Sequence, residues 1–301
     1  MIQSLDQLVD RVKESKRKCR IAVCWAQDPN TLGAIALAVD AGFIEAQLIG
    51  NIDAINNVAA SLGILLDSFT LIEAEDQQKA AYIAVKMVRD GNSDILMKGL
   101  IGTDIFLKSI MDKESGLMLP GAVMSYVCAV DIPSYHKLLF ITDTAVLPFP
   151  NLEQKKAMAN YAITMANNFG IDKPRLALIG ASEKLSKHFP SSTEYPALCK
   201  MVESGEIKDC IMDGPLDLFL ACDKEACEIK GIDTPIEGNA DILLFPSLES
   251  CNPFYKGLMQ FAGGELAGML TGTTHPVVLM SRSESELSKY YCIALSCLMA
   301  K

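Results

Sequence analysis

Short apolar runs alternate with longer amphipathic stretches along almost the whole chain, and no other feature restricts the fold as much. Ile21-Ala22-Val23-Cys24-Trp25 is an unbroken apolar run, followed by Asp28-Pro29-Asn30 and an alanine-rich periodic stretch reaching Asp40. A continuous apolar run this short describes a strand covered on both faces. The pattern predicts strand, loop and helix, a first βα unit. Gly42 is placed to end the helix, and Ala46-Gln47-Leu48-Ile49-Gly50 supplies the next strand. Ahead of them, Leu5, Leu8, Val9 and Val12 mark an amphipathic helix over 4–18, closing on Lys16-Arg17-Lys18, cations that suit a helix C-terminus.

The alternation continues with helix 52–62, strand 68–73, helix 76–90, strand 94–97 and a helix near 103–112. After a Gly/Met/Pro-rich loop at 116–121 it restarts. Strands are expected near 126–131 and 137–142, then helix 152–168, strand 175–179, helix 192–203, strand 208–212, helix 215–230 and strand 241–245. Gly263-Gly264 and Thr271-Gly272-Thr273-Thr274 read as loops before a strand over 276–280 and a closing helix. Repeated αβ alternation predicts an α/β protein with a parallel, doubly wound sheet. At 301 residues the chain is long enough for two domains. The last strand fits either of them.

The formal net charge of −10 disfavours long-range attraction to nucleic acid or anionic membrane. No apolar stretch approaches the roughly 18 residues of a membrane span, and the first residues do not read as a secretory signal, so a cytoplasmic location is expected. The ten cysteines are scattered without a close C-x-x-C pair, and the three histidines share no metal-ligand spacing. No metal site is expected, and the cysteines are expected to be reduced and buried.

Neither G-x-G-x-x-G after the first strand, nor a Walker loop, nor a G-x-S-x-G elbow is present. What remains is polar residues at strand ends, where open α/β sheets place ligands. Lys98-Gly99 follows Ile95-Leu96-Met97 and offers an ammonium beside a backbone that a ligand can approach, with Thr103 at a helix start; a solvated lysine in a tight turn fits equally. Thr142-Asp143-Thr144 is either a polar strand end or a cap and turn. Asp213-Gly214-Pro215 is either a site or a turn with an N-capping Asp. Asn239 and Asn252 bracket one short strand, and both can donate to an acyl or phosphate oxygen, although Asn252-Pro253 is by default a turn. Cys251 has no histidine at an informative spacing to serve it as a nucleophile's base. Finally, Pro276-Val277-Val278-Leu279-Met280 delivers Ser281-Arg282 to a helix start. Either Ser281 caps that helix and Arg282 is a surface charge, or an uncapped N-terminus and a guanidinium fork together hold a phosphate.

In order along the chain stand Lys98-Gly99, Ile141-Thr142-Asp143, Asn151-Leu152-Glu153-Gln154-Lys155, Asp213-Gly214-Pro215-Leu216, Gly238-Asn239-Ala240-Asp241-Ile242-Leu243, Asn252 with Tyr255-Lys256, and Ser281-Arg282 through Ile293-Ala294-Leu295. This series resembles the phosphate acetyl/butyryltransferase family from about residue 20 to the end, and looks more like its butyryl branch. The resemblance implies a two-lobe α/β/α architecture similar to isocitrate and isopropylmalate dehydrogenases. One lobe would comprise 1–127 plus 275–301, the other 128–274, with the active site in the cleft.

The resemblance also implies a reaction: acyl-CoA plus phosphate to acyl phosphate plus CoA, by direct transfer, with no bound metal or permanent cofactor and with coenzyme A as co-substrate. Short acyl groups such as butyryl are expected, in a homodimer or larger homo-oligomer. Carried over by position, Arg282 would hold phosphate and Ser281 would bond the oxyanion or thiol. Lys98, Gly99, Thr103, Thr142, Asp143, Asp213, Gly214, Asn239 and Asn252 would contact substrate. An Asp expected seven residues beyond the serine is Ser288 here, so Glu284 is nominated as the base for the thiol. Two more departures bear on the acyl pocket: Tyr126 in place of His, and Cys251 in place of a small residue. The rival readings are acetyl specificity, a non-catalytic CoA- or acyl-phosphate-binding homologue, and a metal- and nicotinamide-dependent dehydrogenase. The last would need clustered aspartates that the sequence lacks.

Overall fold

In the computed structural model, which describes residues 1–300, the alternation is realised almost throughout. In chain order the elements are α1 (Leu5–Glu14), β1 (Cys19–Cys24), α2 (Pro29–Asp40), β2 (Ile44–Gly50), α3 (Ile52–Leu62), β3 (Thr70–Glu73), α4 (Gln77–Arg89), β4 (Ile95–Lys98) and α5 (Thr103–Met111). There follow β5 (Ser125–Asp131), β6 (Leu139–Thr142), α6 (Leu152–Asn168), β7 (Arg175–Ile179), α7 (Pro190–Glu203) and β8 (Ile211–Leu216). The chain closes with α8 (Leu218–Cys222), α9 (Lys224–Lys230), β9 (Ile242–Leu244), α10 (Leu248–Ala262), β10 (Glu265–Thr271), β11 (Val277–Val278) and α11 (Glu286–Met299).

These elements form two compact units. The terminal unit holds Leu5–Ala122 and the chain from Glu265 onward; the central unit holds Val123–Gly264 with Met1–Ser4. Strands of the terminal unit lie in the order β3-β2-β1-β4-β11-β10. All neighbours there are parallel except β10 and β11, which are antiparallel. Those of the central unit lie in the order β5-β6-β9-β7-β8, parallel except for the antiparallel pair β5 and β6. The sheet is therefore mixed rather than purely parallel. Ile21, Ala22, Val23 and Cys24 have no accessible surface, as an apolar run under cover on both faces requires.

Helix starts follow local chemistry. Asp28 accepts from the Thr31 N–H at 2.9 Å and Pro29 opens α2, so the chain after β1 turns into a helix without an orphaned donor. Asn151 and Gln154 make a reciprocal capping box on α6. The α1 helix buries Leu5, Leu8, Val9 and Val12 and packs on α11. At about 1.5–3 kcal/mol per buried aliphatic side chain, that is roughly 6–12 kcal/mol of gross stabilisation tying the two ends of the chain together. It ends at Glu14, before the Lys16-Arg17-Lys18 group expected to close it.

Five expectations are corrected. The segment 248–262 forms α10, so Asn252 and Pro253 lie inside a helix and not in a turn; Pro253 falls early in it, where only one backbone bond is forgone. Residues 265–271, of which only Thr271 reads as loop in the sequence and the rest carry no expected element, form β10. The strand expected over 208–212 starts at Ile211 and continues through Asp213-Gly214-Pro215 to Leu216, so Asp213 is neither turn nor cap. The single helix expected over 215–230 is two helices, capped by Asp217 and Asp223. Ser281 does not cap α11, and α11 is not uncapped: Ser285 accepts from the Ser288 N–H at 2.9 Å.

Candidate functional site

In the terminal unit β1 and β4 are adjacent and parallel, yet β1 leads through α2 to β2 on one side, whereas the next strand of this unit after β4 is β10, on the other. Their connections diverge, and the crevice outside such strand ends is where doubly wound sheets bind ligands. Lys98 is the last residue of β4 and only 4% exposed; its ammonium donates to Gly99 O at 3.2 Å. The Gly99 N–H donates to Cys24 O (2.9 Å) and the Leu100 N–H to Trp25 O (2.8 Å). A Cβ on residue 99 would collide with both of those carbonyls, so the loop after β4 lies against β1 only because residue 99 is glycine.

Arg282 comes to the same place from the segment after β11. Its Nη2 donates to Leu100 O at 3.0 Å, and Asn30 Nδ2 donates to Arg282 O at 3.4 Å. Lys289, on the first turn of α11 and 2% exposed, donates to Glu284 O at 2.8 Å. Burial pushes the Lys98 ammonium below the ordinary lysine value, the Arg282 charge pushes it further, and Asp28 and Cys24 oppose both. Lys289 is lowered for the same first reason, with Asp28 and Glu284 opposing. Lys98 thus feels two cations, Arg282 and Lys289, against one buried carboxylate, Asp28. Such a cluster is poised for an anion, which would relieve the repulsion and raise both lysine values.

Ser281 is exposed, and its hydroxyl shares a hydrogen bond with Ser283 Oγ at 3.0 Å. Glu284 is half-buried and closes a turn from its N–H to Ser281 O (3.3 Å). Thr103 opens α5, whose N-cap Gly102 has no capping side chain, leaving first-turn N–H groups available. At position 288 the structure adds what sequence reasoning missed. The Ser288 hydroxyl donates to Glu265, as does that of Ser285 at 2.7 Å, while the Leu266 N–H donates to Ser288 Oγ at 3.0 Å. The Glu265 carboxylate thus sits beside the Ser288 hydroxyl, and it comes from β10, a strand the sequence did not announce. Asp28, Asn30 and Lys289 were also missed as members of this cluster. For Lys289 the available signal was a lysine set among the apolar positions of a closing helix.

The remaining candidates belong to the central unit and fall into three places. Thr142, Asp143 and Asn252 gather beyond the carboxyl ends of β6 and β9. Asp143 is 1% exposed and accepts from Ser125 Oγ (2.9 Å) and from the N–H groups of Tyr126 (3.1 Å), Ala145 and Val146 (2.8 Å each). Burial nevertheless raises its carboxyl above the usual range, the four hydrogen bonds opposing. Thr142 Oγ1 is buried without a partner. Asn252 Nδ2 donates to Thr144 O at 2.8 Å.

Asp213 and Gly214 lie within the edge strand β8, where the Asp213 carboxylate takes the Thr234 hydroxyl and the Gly214 N–H. Asn239 precedes β9 at the opposite sheet edge from Asn252 and meets His136 Nε2 at 3.1 Å. It does not share a site with Asn252, because a three-residue strand of about 3.3 Å per residue separates its two ends by roughly 10 Å. Cys251 is fully buried, and desolvation pushes its thiol well above the ordinary value, which removes it as a nucleophile.

The fold and the terminal-unit cluster define a class: a mixed α/β protein whose strand ends gather cations, the arrangement of proteins that hold acidic small molecules. The family model described as "Phosphate acetyl/butaryl transferase" matches residues 75–297, and the chain belongs to that family. A phosphate butyryltransferase of Clostridium beijerinckii is 38% identical over 300 residues, covering 100% of this chain and 99% of that protein. A phosphate acetyltransferase of Thermotoga maritima is 35% identical, covering 98% and 99%. In structure the chain is similar to a branched-chain phosphotransacylase from Enterococcus faecalis, with a TM-score of 0.82 and 26% identity over 94% of this chain and 100% of that one. Among the described residues no helix is long and apolar enough to cross a membrane.

Proposed function

We propose that the protein is a phosphate acyltransferase that interconverts acyl-CoA plus phosphate and acyl phosphate plus CoA, with butyryl as the preferred short acyl group. The observation that carries this reading is the meeting of Lys98, Arg282 and Lys289 at the β1/β4 strand ends, a cationic cluster matched to orthophosphate. Arg282 is the planar fork that takes two phosphate oxygens, and Lys98 the buried point charge behind it. A phosphate oxygen then attacks the thioester carbonyl carbon. The C–O bond forms, the C–S bond breaks, and the thiolate leaves and takes up a proton. In reverse, a deprotonated thiol displaces phosphate. Ser281, exposed beside Arg282, donates to the oxyanion that develops on the carbonyl. Glu284 serves as the base that exchanges the thiol proton; its half-buried position within the electrostatic reach of Lys289 supports that role.

We take the discontinuous lobe expected over 1–127 with 275–301 as the bearer of the phosphate clamp, in an architecture of the isocitrate dehydrogenase type. That all three cations sit in the terminal unit supports this. A cytoplasmic homo-oligomer is the expected working form. The names of the relatives include both butyryl and acetyl enzymes, and the similar E. faecalis structure is a branched-chain one. Rates with acetyl-, propionyl-, butyryl- and branched acyl-CoA at fixed phosphate therefore test the acyl assignment. A kcat/KM highest for butyryl-CoA is expected, and a clear preference for acetyl-CoA would overturn it.

A further inference from the structure

The central unit holds a cavity of about 800 Å³ that none of the residues assigned above lines. Its position follows from topology. Strands β7 and β9 are adjacent and parallel. From β7 the chain passes into α7, which packs on β8, whereas from β9 it passes into α10, which turns back over β6. The two connections diverge, so the space beyond these strand ends is a second switch point, of the kind at which open α/β sheets hold ligands. Gly180-Ala181-Ser182 after β7 and Phe245-Pro246-Ser247 after β9 form two of its walls.

The lining carries three kinds of chemistry. Phe149 and Phe189 present their rings at the mouth, 72% and 51% exposed, although each borders a concave site. Phenyl rings left so open are platforms for a flat aromatic partner. Deeper in, the Lys155 ammonium, whose side chain is 2% exposed, donates to Pro150 O and Glu194 Oε2, both at 2.6 Å. That pair pins the Glu194 carboxylate, which keeps 35% of its side chain accessible, as a fixed acceptor edge. Lys184 and His188 supply cationic and donor groups near the start of α7, whose N-cap Phe189 makes no side-chain cap. A ring platform, an acceptor for an exocyclic amine, and a cationic rim together describe a purine nucleotide.

We propose that this cavity binds an adenine nucleotide, with the base against Phe149 and Phe189, its amine on Glu194 and its phosphate at Lys184 and His188. The acyltransferase reading brings one such group to the protein, the adenosine bisphosphate end of coenzyme A, and the inference rests on that reading for this source alone. A free adenine nucleotide has the same chemistry.

Isothermal titration of the full-length protein with adenosine 3′,5′-bisphosphate and, separately, with AMP tests the site. Binding of at least one probe is expected below about 1 mM, roughly 4 kcal/mol. Phe189→Ala and Lys184→Ala should each weaken it about fivefold or more, about 1 kcal/mol for one stacked ring or one charged contact. Ala181→Trp, at an exposed wall position, should abolish it. All three variants should keep the wild-type melting temperature. If coenzyme A is the source, the same variants raise KM for butyryl-CoA with kcat and the phosphate KM unmoved. If binding is lost while that KM stays put, the occupant is a free nucleotide and the site stands. Absence of heat for both probes at several millimolar, or variants that bind within twofold of wild type, would overturn the proposal. Failure of the acyltransferase reading would look different: nucleotide binding intact, with no phosphate-dependent release of CoA.

Discussion

Replacing Arg282 by alanine separates catalysis from folding cleanly. The side chain is exposed, and its guanidinium is held by Leu100 O at 3.0 Å, so little of the core depends on it. An exposed substitution costs about 0.5 kcal/mol or less. For a chain of this size that moves Tm by about 2 °C at most. The effect on turnover is of another order. A bidentate guanidinium–phosphate contact comprises two charge-assisted hydrogen bonds of about 1.5–3 kcal/mol each, and water recovers part of that in the variant. A net loss of about 3 kcal/mol corresponds to a fall of roughly a hundredfold in kcat/KM for phosphate. Arg282→Lys keeps the charge but not the fork and should fall in between. The assay is phosphorolysis of butyryl-CoA, followed by released thiol, over a phosphate series. Because Arg282 also holds the Lys98 ammonium below its ordinary value, Arg282→Ala should move the alkaline limb of the pH–rate profile upward. A loss smaller than about tenfold, about 1.4 kcal/mol, would refute the clamp.

Lys98→Met should stabilise the fold at neutral pH while abolishing most activity, since burial makes the charged ammonium costly there. The sign follows from linkage: the folded value lies below the unfolded one, so the penalty is fully present at neutral pH and relieved as pH rises through the folded value. The Tm advantage of the variant over wild type should therefore shrink toward alkaline pH, and a constant or growing gap would contradict it. Glu284→Gln should lower kcat and flatten the acidic limb of the pH–rate profile; an unaltered profile removes Glu284 as the base. Ser285→Ala deletes the N-cap of α11 and one hydroxyl donor to Glu265. At about 0.5–2 kcal/mol for a lost cap, a Tm lower by a few degrees is expected in thermal melts, and an unchanged Tm would show that the cap is not formed in solution.

The strands with continuous apolar runs were legible because burial on both faces leaves a one-dimensional mark; Ile21–Cys24 and Ile95–Met97 are the clearest cases. Lys98 was legible as a strand-end residue for the same reason, since finding the strand finds its end, whereas Arg282 lies four residues beyond Val278, where β11 stops short of the strand expected over 276–280. Three serines, 281, 283 and 285, are each competent to cap α11, and only tertiary contacts decide among them: Lys289 reaches back to Glu284 O, and Ser285 and Ser288 share Glu265. Helix α10 was hidden by Asn252-Pro253, a turn signal that a helix tolerates near its start. Strand β10 was hidden by its glycine-rich entry and by Gly268 within it. Asn239 looked like a partner of Asn252 because sequence shows that a strand is bracketed, not that its two ends open on opposite sheet edges. Glu265 carried no local signal at all. Its relation to Ser288 spans 23 residues and exists only once β10 and α11 are packed.

Acyl transfer between a CoA thioester and phosphate at the Lys98–Arg282 cluster has a stoichiometric signature. The most direct measurement is the stoichiometry of CoA released and acyl phosphate formed, the latter trapped as hydroxamate, from butyryl-CoA with and without phosphate. Equal amounts of both products are expected, dependent on phosphate and lost in Arg282→Ala. Thiol release that proceeds equally without phosphate, or none at all from a protein that still binds CoA, would contradict it.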